Sequence, residues 1–175
     1  MKRRTILAAG GTALLAGCAG PQAAQYATQR PELDLRRYFD GRIDAWGMVT
    51  DRAGAIVRRF TVLMACRWTG DEGVLDEDFT YSDGTRQRRV WQVTRVAPGR
   101  YIGRADDVVG HAVGEQAGNV LQWRYTLALP VDGRVWEIQF DDWMVLMDDR
   151  VLLNRAAMSK FGVHLGDVTL AFRKP

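Results

Sequence analysis

The stretch from Trp123 to Arg155 constrains the fold more than any other part of this chain, because three strands and two turns can be recognised in it. Apolar residues alternate with polar ones on both sides of a turn at 130–133, and they are Trp123, Tyr125, Leu127, Leu129, Trp136, Ile138 and Phe140. A period of two is typical of strands that bury one face, and a short turn between two such strands is typical of an antiparallel hairpin. The stretch therefore predicts a sheet with one face in an apolar core.

The same pattern recurs along the chain, with turn residues at short intervals such as Gly54, Gly70, Gly84 and Gly99. It predicts an all-β fold, best closed as an antiparallel up-and-down barrel of about 8–10 strands, lipocalin-like or calycin-like, because closure removes both sheet edges. An open or two-sheet sandwich is the alternative. We also predict one short C-terminal helix at 154–161, where Asn154 is placed to cap one or two turns that Gly162 ends.

The N-terminus combines basic residues at 2–4, an apolar run from Ile6 to Leu15, and the motif Leu-Ala-Gly-Cys ending at Cys18. It resembles a bacterial lipoprotein signal, and about ten apolar residues are too few to span a bilayer. The resemblance implies that residues 1–17 are a signal peptide and that Cys18 carries a lipid as the first mature residue. Ala19 in place of an aspartate favours the outer membrane, on its periplasmic face. An ordinary secretory signal with a chance cysteine is the alternative.

Composition along the mature chain suggests a flexible tether at 18–30, small and polar, followed by one barrel domain at 31–175. The leader holds three of the 24 basic side chains, which leaves 21 basic and 21 acidic side chains in the mature chain. A formally neutral chain gives no basic patch for nucleic acid, so we predict no nucleic-acid partner. Cys66 has no partner other than Cys18, and its place in an apolar face predicts a buried core residue.

Three charged residues share the apolar phase of their strands and should point into the barrel, namely Arg58, Glu77 and Asp142. Buried charges need partners, so we expect Arg58 to pair with Glu77 or Asp142. The arrangement fits a structural ion pair, a bulge that turns Asp142 outward, or a polar anchor for a ligand in an apolar cavity. The candidate ligand-binding residues are Arg58, Glu77, Trp123, Tyr125, Trp136, Phe140 and Asp142.

Catalytic and metal-binding motifs are scarce. The only serines are Ser82 and Ser159, the two histidines are His111 and His164, and GxSxG, HExxH and CxxC motifs are absent. We therefore predict no metal and no cofactor, although Glu77 and Asp142 would suit general acid–base work if they lay close together. Residues 143–147 are apolar on both strand faces, and the outer face would be covered by the helix near Met158, by lipid or by a partner protein.

Several sequence blocks resemble a family of Gram-negative bacterial lipoproteins catalogued as domain of unknown function 3833. The blocks are LAGC, DEDFTYSDGTRQRRVWQV, GNVLQWRYTLALPVDGRVWEIQFDDWM and NRAAMSKFGVHLGDVTLAF, and from about Asp34 the likeness covers nearly the whole mature chain. Members are often encoded near enzymes that modify fatty acyl chains, so the resemblance implies a role that involves lipid. It brings no catalytic residues to carry over.

The leading hypothesis is a lipid-anchored, periplasm-facing barrel that binds or shuttles a hydrophobic ligand such as a fatty acid or phospholipid. Alternatives are a structural or assembly lipoprotein that binds a protein partner, and a lipid-modifying enzyme that uses Glu77 and Asp142. Interior volume distinguishes these hypotheses. A connected cavity of several hundred cubic ångströms favours the carrier, a packed interior favours the structural role, and an enzyme requires both carboxylates to face the cavity.

Overall fold

The computed structural model describes residues 20–131 and 133–175, so the predicted signal peptide and Cys18 lie outside the described residues. Within these two ranges, ten strands form one closed barrel: β1 (Gly41–Asp51), β2 (Ile56–Thr69), β3 (Glu72–Tyr81), β4 (Arg86–Ala97), β5 (Arg100–Arg104), β6 (Ala112–Ala117), β7 (Val120–Val131), β8 (Arg134–Leu146), β9 (Val151–Lys160) and β10 (Val163–Arg173). Each strand pairs antiparallel with its neighbour in the chain, and β10 pairs with β1. The predicted up-and-down barrel is confirmed.

Strand β2 shows how the sequence builds the wall. Its inward side chains are buried, while the residues between them face solvent. Cys66 belongs to the inward set and is a free, buried thiol, as predicted. Burial, followed by the negative charges of Glu77 and Asp40, raises the pKa of this thiol to about 12. Cys66 therefore behaves as a core residue and not as a nucleophile.

One end of the barrel is closed by the segment that precedes β1. Asp34 caps the short helix α1 (Leu35–Tyr38) by accepting a hydrogen bond from the Arg36 amide at 3.0 Å. Leu35 and Phe39 are buried in the barrel end. The Phe39 ring packs edge-to-face on Phe172 of β10, with ring centroids 5.7 Å apart. Among the described residues, no helix is long and apolar enough to cross a membrane.

The prediction of a C-terminal helix at 154–161 is wrong. Most of this segment belongs to β9, and Asn154 is a buried residue inside that strand and not a helix cap. Phe161 and Gly162 form the turn to β10, with φ angles of 52° and 77°. Two successive positive φ angles are typical of the two-residue turn that matches the twist of a β-hairpin. Gly162 therefore belongs to a hairpin turn and does not end a helix.

The described part of the predicted tether, residues 20–30, lies against the barrel instead of extending away from it. It contains a 3₁₀ helix, Ala23–Tyr26, in which Ala23 is buried. The Tyr26 ring packs edge-to-face on Trp143 with centroids 5.9 Å apart, and the Tyr26 carbonyl contacts Gly118 where a side chain would clash. This segment, and not a C-terminal helix, covers part of the apolar outer face at 143–147.

Candidate functional site

A cavity of about 670 Å³ lies inside the barrel beside α1. Leu35 and Phe39 line its closed end, whereas Val57 and Val131, which are 60% and 47% exposed, line the other end and form part of its mouth. Most lining side chains are apolar. The exceptions are seven charged or amide residues together with two tyrosines: Arg58, Glu77, Tyr81, Gln87, Arg89, Asp107, Tyr125, Asp142 and Asn154.

Six of the seven ligand-binding candidates from the sequence line this cavity, namely Arg58, Glu77, Trp123, Tyr125, Phe140 and Asp142. Trp136 is not among the lining residues. It is 41% exposed, and the Lys160 Nζ atom lies 4.6 Å from its ring centroid. Trp136 shares the inward phase of β8 but lies only two residues from the start of that strand, so its ring sits at the rim of the barrel.

The expected pairing of Arg58 with Glu77 or Asp142 is wrong. The Arg58 Nη2 atom lies 2.8 Å from Asp83 Oδ2, and its guanidinium lies 3.6 Å above the Tyr81 ring. Asp83 belongs to the turn between β3 and β4 at the mouth, and Arg58 is near the mouth end of β2. Its long side chain therefore reaches the rim, where it is 38% exposed, and not the acidic groups deeper in the cavity.

Arg89 is the deeper cation, and the sequence reasoning missed it. Its Nη2 atom lies 2.6 Å and its Nε atom 3.0 Å from Asp107 Oδ2, and the two side chains are 14% and 25% exposed. Burial opposes the charge of Arg89, but its hydrogen bonds to Asp107 and the charge of Glu77 hold its pKa above the ordinary value. Arg89 lies two residues before the buried Trp91, so the same periodicity that found Glu77 was sufficient to identify it.

Asp107 comes from the segment between β5 and β6, which runs beside β7. The Ala128 amide donates to the Asp107 carbonyl at 2.8 Å, and the Val109 amide donates to the Thr126 carbonyl at 2.9 Å. These bonds extend the barrel wall at a place where β5 and β6 are short. The ion pair with Arg89 thus ties this added piece of wall to β4.

Glu77 and Asp142 both face the cavity, and burial shifts their acidity. Burial raises the pKa of Glu77 to about 7, although the positive charge of Arg89 works in the opposite direction. Burial likewise raises the pKa of Asp142 to about 8, against the hydrogen bond from the Tyr125 hydroxyl to Asp142 Oδ2 at 3.2 Å. The cavity therefore holds two carboxyl groups that gain or lose a proton near neutral pH.

Aromatic packing fixes the Tyr125 hydroxyl beside Asp142. The Tyr125 ring stacks on Phe140 with centroids 5.1 Å apart, and Trp91 packs edge-to-face against it at 5.4 Å. Trp123 packs in turn against Trp91 at 5.7 Å, and its ring lies over two strand glycines whose missing side chains leave room for it, Gly103 and Gly114. This cluster forms a rigid wall that orients the polar groups of β7 and β8.

The Asp142→Asn variant should weaken the pH dependence of stability. The folded-state pKa of about 8 lies above the ordinary 3.8, so between these values the folded chain holds a proton that the unfolded chain releases. The free energy of unfolding then falls as pH rises, by up to about 1.4 kcal/mol per pH unit for this group, until the folded-state pKa is passed. Asparagine cannot ionise, so the free energy of unfolding of the variant should rise relative to that of the parent chain progressively from pH 5 to pH 8.

Urea denaturation at several pH values measures this difference. Asp78→Asn, on the exposed outer face of β3, is the matched control. Its unfolding free energy should change with pH with the same slope as that of the parent chain. Identical slopes for Asp142→Asn and the parent chain would show that the Asp142 carboxyl is ionised in the folded state at neutral pH.

Comparison with known families gives one match. A family model described as a protein of unknown function (DUF3833) matches residues 12–174, which include the whole barrel. A search of the curated proteins found no match. Neither result assigns an activity.

Proposed function

The chain belongs to the family of proteins of unknown function DUF3833, as its sequence blocks predicted, and we propose that it is a lipid-anchored, lipocalin-like carrier that binds or shuttles a hydrophobic ligand. The class of ligand is the one expected from the sequence, a fatty acid or phospholipid. One observation carries the proposal, namely a largely apolar cavity of about 670 Å³ inside the barrel. Sites for small molecules typically have volumes of about 300–1,000 Å³ and predominantly apolar walls.

The interior volume favours a carrier over a purely structural barrel. Side chains can fill a small barrel completely, and a structural role requires nothing more. Here α1 and its neighbours fill only one end, and the space beyond them remains open. The rim around the mouth also carries exposed apolar side chains, including Val57, Val131 and Phe161, which is 87% exposed. An apolar rim supports passage of a hydrophobic ligand through this end.

Attachment to the outer membrane through Cys18, on the periplasmic face, is part of the same proposal. Because residues 20–30 lie on the barrel wall, only Ala19 and Gly20 separate Cys18 from Pro21, which lies beside Trp143, a span of roughly 10 Å at most. A lipid on Cys18 would hold the barrel close beside the bilayer and not on a long arm. Mass spectrometry of the N-terminal peptide tests whether Cys18 carries a lipid, and the Cys18→Ala variant should carry none.

Analysis of co-purified lipids is the direct test of the carrier function. Every described residue that lines the cavity lies at or beyond position 35, so the test uses a chain without residues 1–18. We expect native mass spectrometry to detect about one hydrophobic molecule per chain, in keeping with the volume of the cavity inside the barrel. If no lipid is retained and neither fluorescent fatty acids nor the apolar probe N-phenyl-1-naphthylamine binds, the carrier function is ruled out.

A lipid-modifying enzyme is the second candidate, favoured by the two carboxyl groups in the cavity. An enzyme requires both carboxylates to face the cavity, and Glu77 and Asp142 both line it. Burial brings their pKa values to about 7 and 8. Such groups are able to give and take protons at neutral pH. Incubation with a bacterial lipid extract, followed by mass spectrometry of the recovered lipids, separates the two functions. A change in lipid mass that Asp142→Asn abolishes supports the enzyme, and unchanged bound lipid supports the carrier.

A further inference from the structure

Two buried polar side chains face the cavity without complete hydrogen bonding. Asp142 on β8 lies opposite Ala156 on β9, and Asn154 is two residues from Ala156 on the same face of the sheet. Asp142 is 6% exposed and Asn154 is 3% exposed, and both line the cavity. Asp142 Oδ1 and Asn154 Nδ2 have no hydrogen-bond partner among the described residues. A buried polar atom without a hydrogen-bond partner is unfavourable, so a ligand group that supplies a partner is favoured at this place.

We propose that Asp142 and Asn154 form a subsite for an uncharged head group, a hydroxyl or an amide, on the ligand that occupies the cavity. This inference rests on the proposed carrier function and narrows its ligand to lipids whose head group is uncharged. A protonated carboxyl and a carboxamide together offer hydrogen-bond donors and acceptors, whichever way the Asn154 amide is turned. A hydroxyl or amide also donates and accepts, so such a group is able to pair with either side chain.

The charges around the subsite disfavour an anionic head group. The two cations that line the cavity, Arg58 and Arg89, are already paired with Asp83 and Asp107. A ligand carboxylate placed beside Asp142 would face the carboxyl groups of Asp142 and Glu77, and neither cation would be free to pair with it. Burial of a charge without a partner is strongly unfavourable. A quaternary ammonium group has no hydrogen to donate and no acceptor, so it would leave both unpaired atoms unsatisfied.

A series of ligands with one alkyl chain and different head groups tests the subsite. The probes are tetradecanol, tetradecanamide, tetradecanoate and tetradecyltrimethylammonium, each measured by displacement of N-phenyl-1-naphthylamine at pH 7 from the chain without residues 1–18. We expect the alcohol and the amide to bind about tenfold more tightly than the two charged ligands, since tenfold corresponds to about one net hydrogen bond.

The Asn154→Leu variant separates hydrogen bonding from cavity shape. Leucine has a similar size and removes a buried amide nitrogen that lacks a partner, so we expect no loss of thermal stability, and binding of the apolar fluorescent probe to the same variant serves as the reference. Its affinity for the alcohol and the amide should fall about tenfold. Asn119→Leu, the same substitution in the β6–β7 turn outside the cavity, should leave the order of the four ligands unchanged.

The outcomes distinguish the subsite from the carrier function. If the probe binds but all four head groups bind equally, or the carboxylate binds most tightly, the subsite is wrong and the carrier function stands. If neither the probe nor any alkyl ligand binds, the carrier function and the subsite fail together. Retention of the tenfold preference by Asn154→Leu would also overturn the subsite.

Discussion

The Arg89→Met variant is expected to lose about 1.5–3 kcal/mol of unfolding free energy, because it removes the charged hydrogen-bond partner of a part-buried carboxylate. Arg89 is 14% exposed and Asp107 is 25% exposed, with Nη2 and Oδ2 2.6 Å apart. Methionine retains much of the aliphatic stem but leaves the Asp107 carboxylate in the wall without its counter-charge. Urea denaturation at pH 7 measures the loss.

The neighbouring residue provides a matched control for this prediction. Arg88 Nη2 lies 2.6 Å from Asp76 Oδ2, the same separation as in the inner pair, but the Arg88 side chain is 65% exposed on the outer face of the barrel. Solvent screens such a pair, so Arg88→Met should cost far less than Arg89→Met. In hydrogen exchange, Arg89→Met alone should speed exchange of the Val109 and Ala128 amides, which bond the added segment of wall to β7. Equal losses of stability in the two variants would contradict a buried role for Arg89.

Strand periodicity predicted which side of the wall a residue faces, but not how deep it lies. Glu77, Tyr125 and Asp142 share the inward phase and face the cavity as expected. Arg58 and Trp136 have the same phase, yet both lie near strand ends at the mouth. Arg58 pairs there with a turn residue, and Trp136 is 41% exposed. Depth depends on strand register around the whole barrel, which a single sequence does not reveal.

Other features depend on contacts between distant segments. Asp107 lies outside any strand, so no periodic pattern connects it with Arg89. The polar composition of 20–30 suggested a tether, whereas packing of Tyr26 on Trp143 holds the segment to the wall. At 154–161, alanines and a polar Asn154 suit a helix or a strand equally well. Pairing with both β8 and β10 favours the strand, because the backbone N–H and C=O groups then find hydrogen-bond partners on both sides.

The Ala156→Trp variant should abolish ligand binding, since it fills the cavity from its wall. Ala156 is 2% exposed, lines the cavity, and lies on β9 between the inward residues Asn154 and Met158. An indole at this position occupies the space beside Phe140, opposite Met158 in the pairing of β8 with β9. We expect affinity for N-phenyl-1-naphthylamine and for tetradecanol to fall about 100-fold or more, measured by fluorescence titration. Overpacking typically costs about 1–3 kcal/mol, so urea denaturation is needed to show that the variant is folded under the binding conditions.

Ala65→Trp introduces the same side chain on the outside of the barrel and is the matched control. Ala65 lies between two inward residues of β2 and is exposed on the outer face, so its indole would not enter the cavity. Binding by this variant should equal that of the parent chain. If a folded Ala156→Trp variant bound both ligands as well as Ala65→Trp did, the ligands would have to occupy a surface outside the barrel interior. The cavity would then be unrelated to binding, and Asp142 and Asn154 would have a role in the structure of the barrel wall alone.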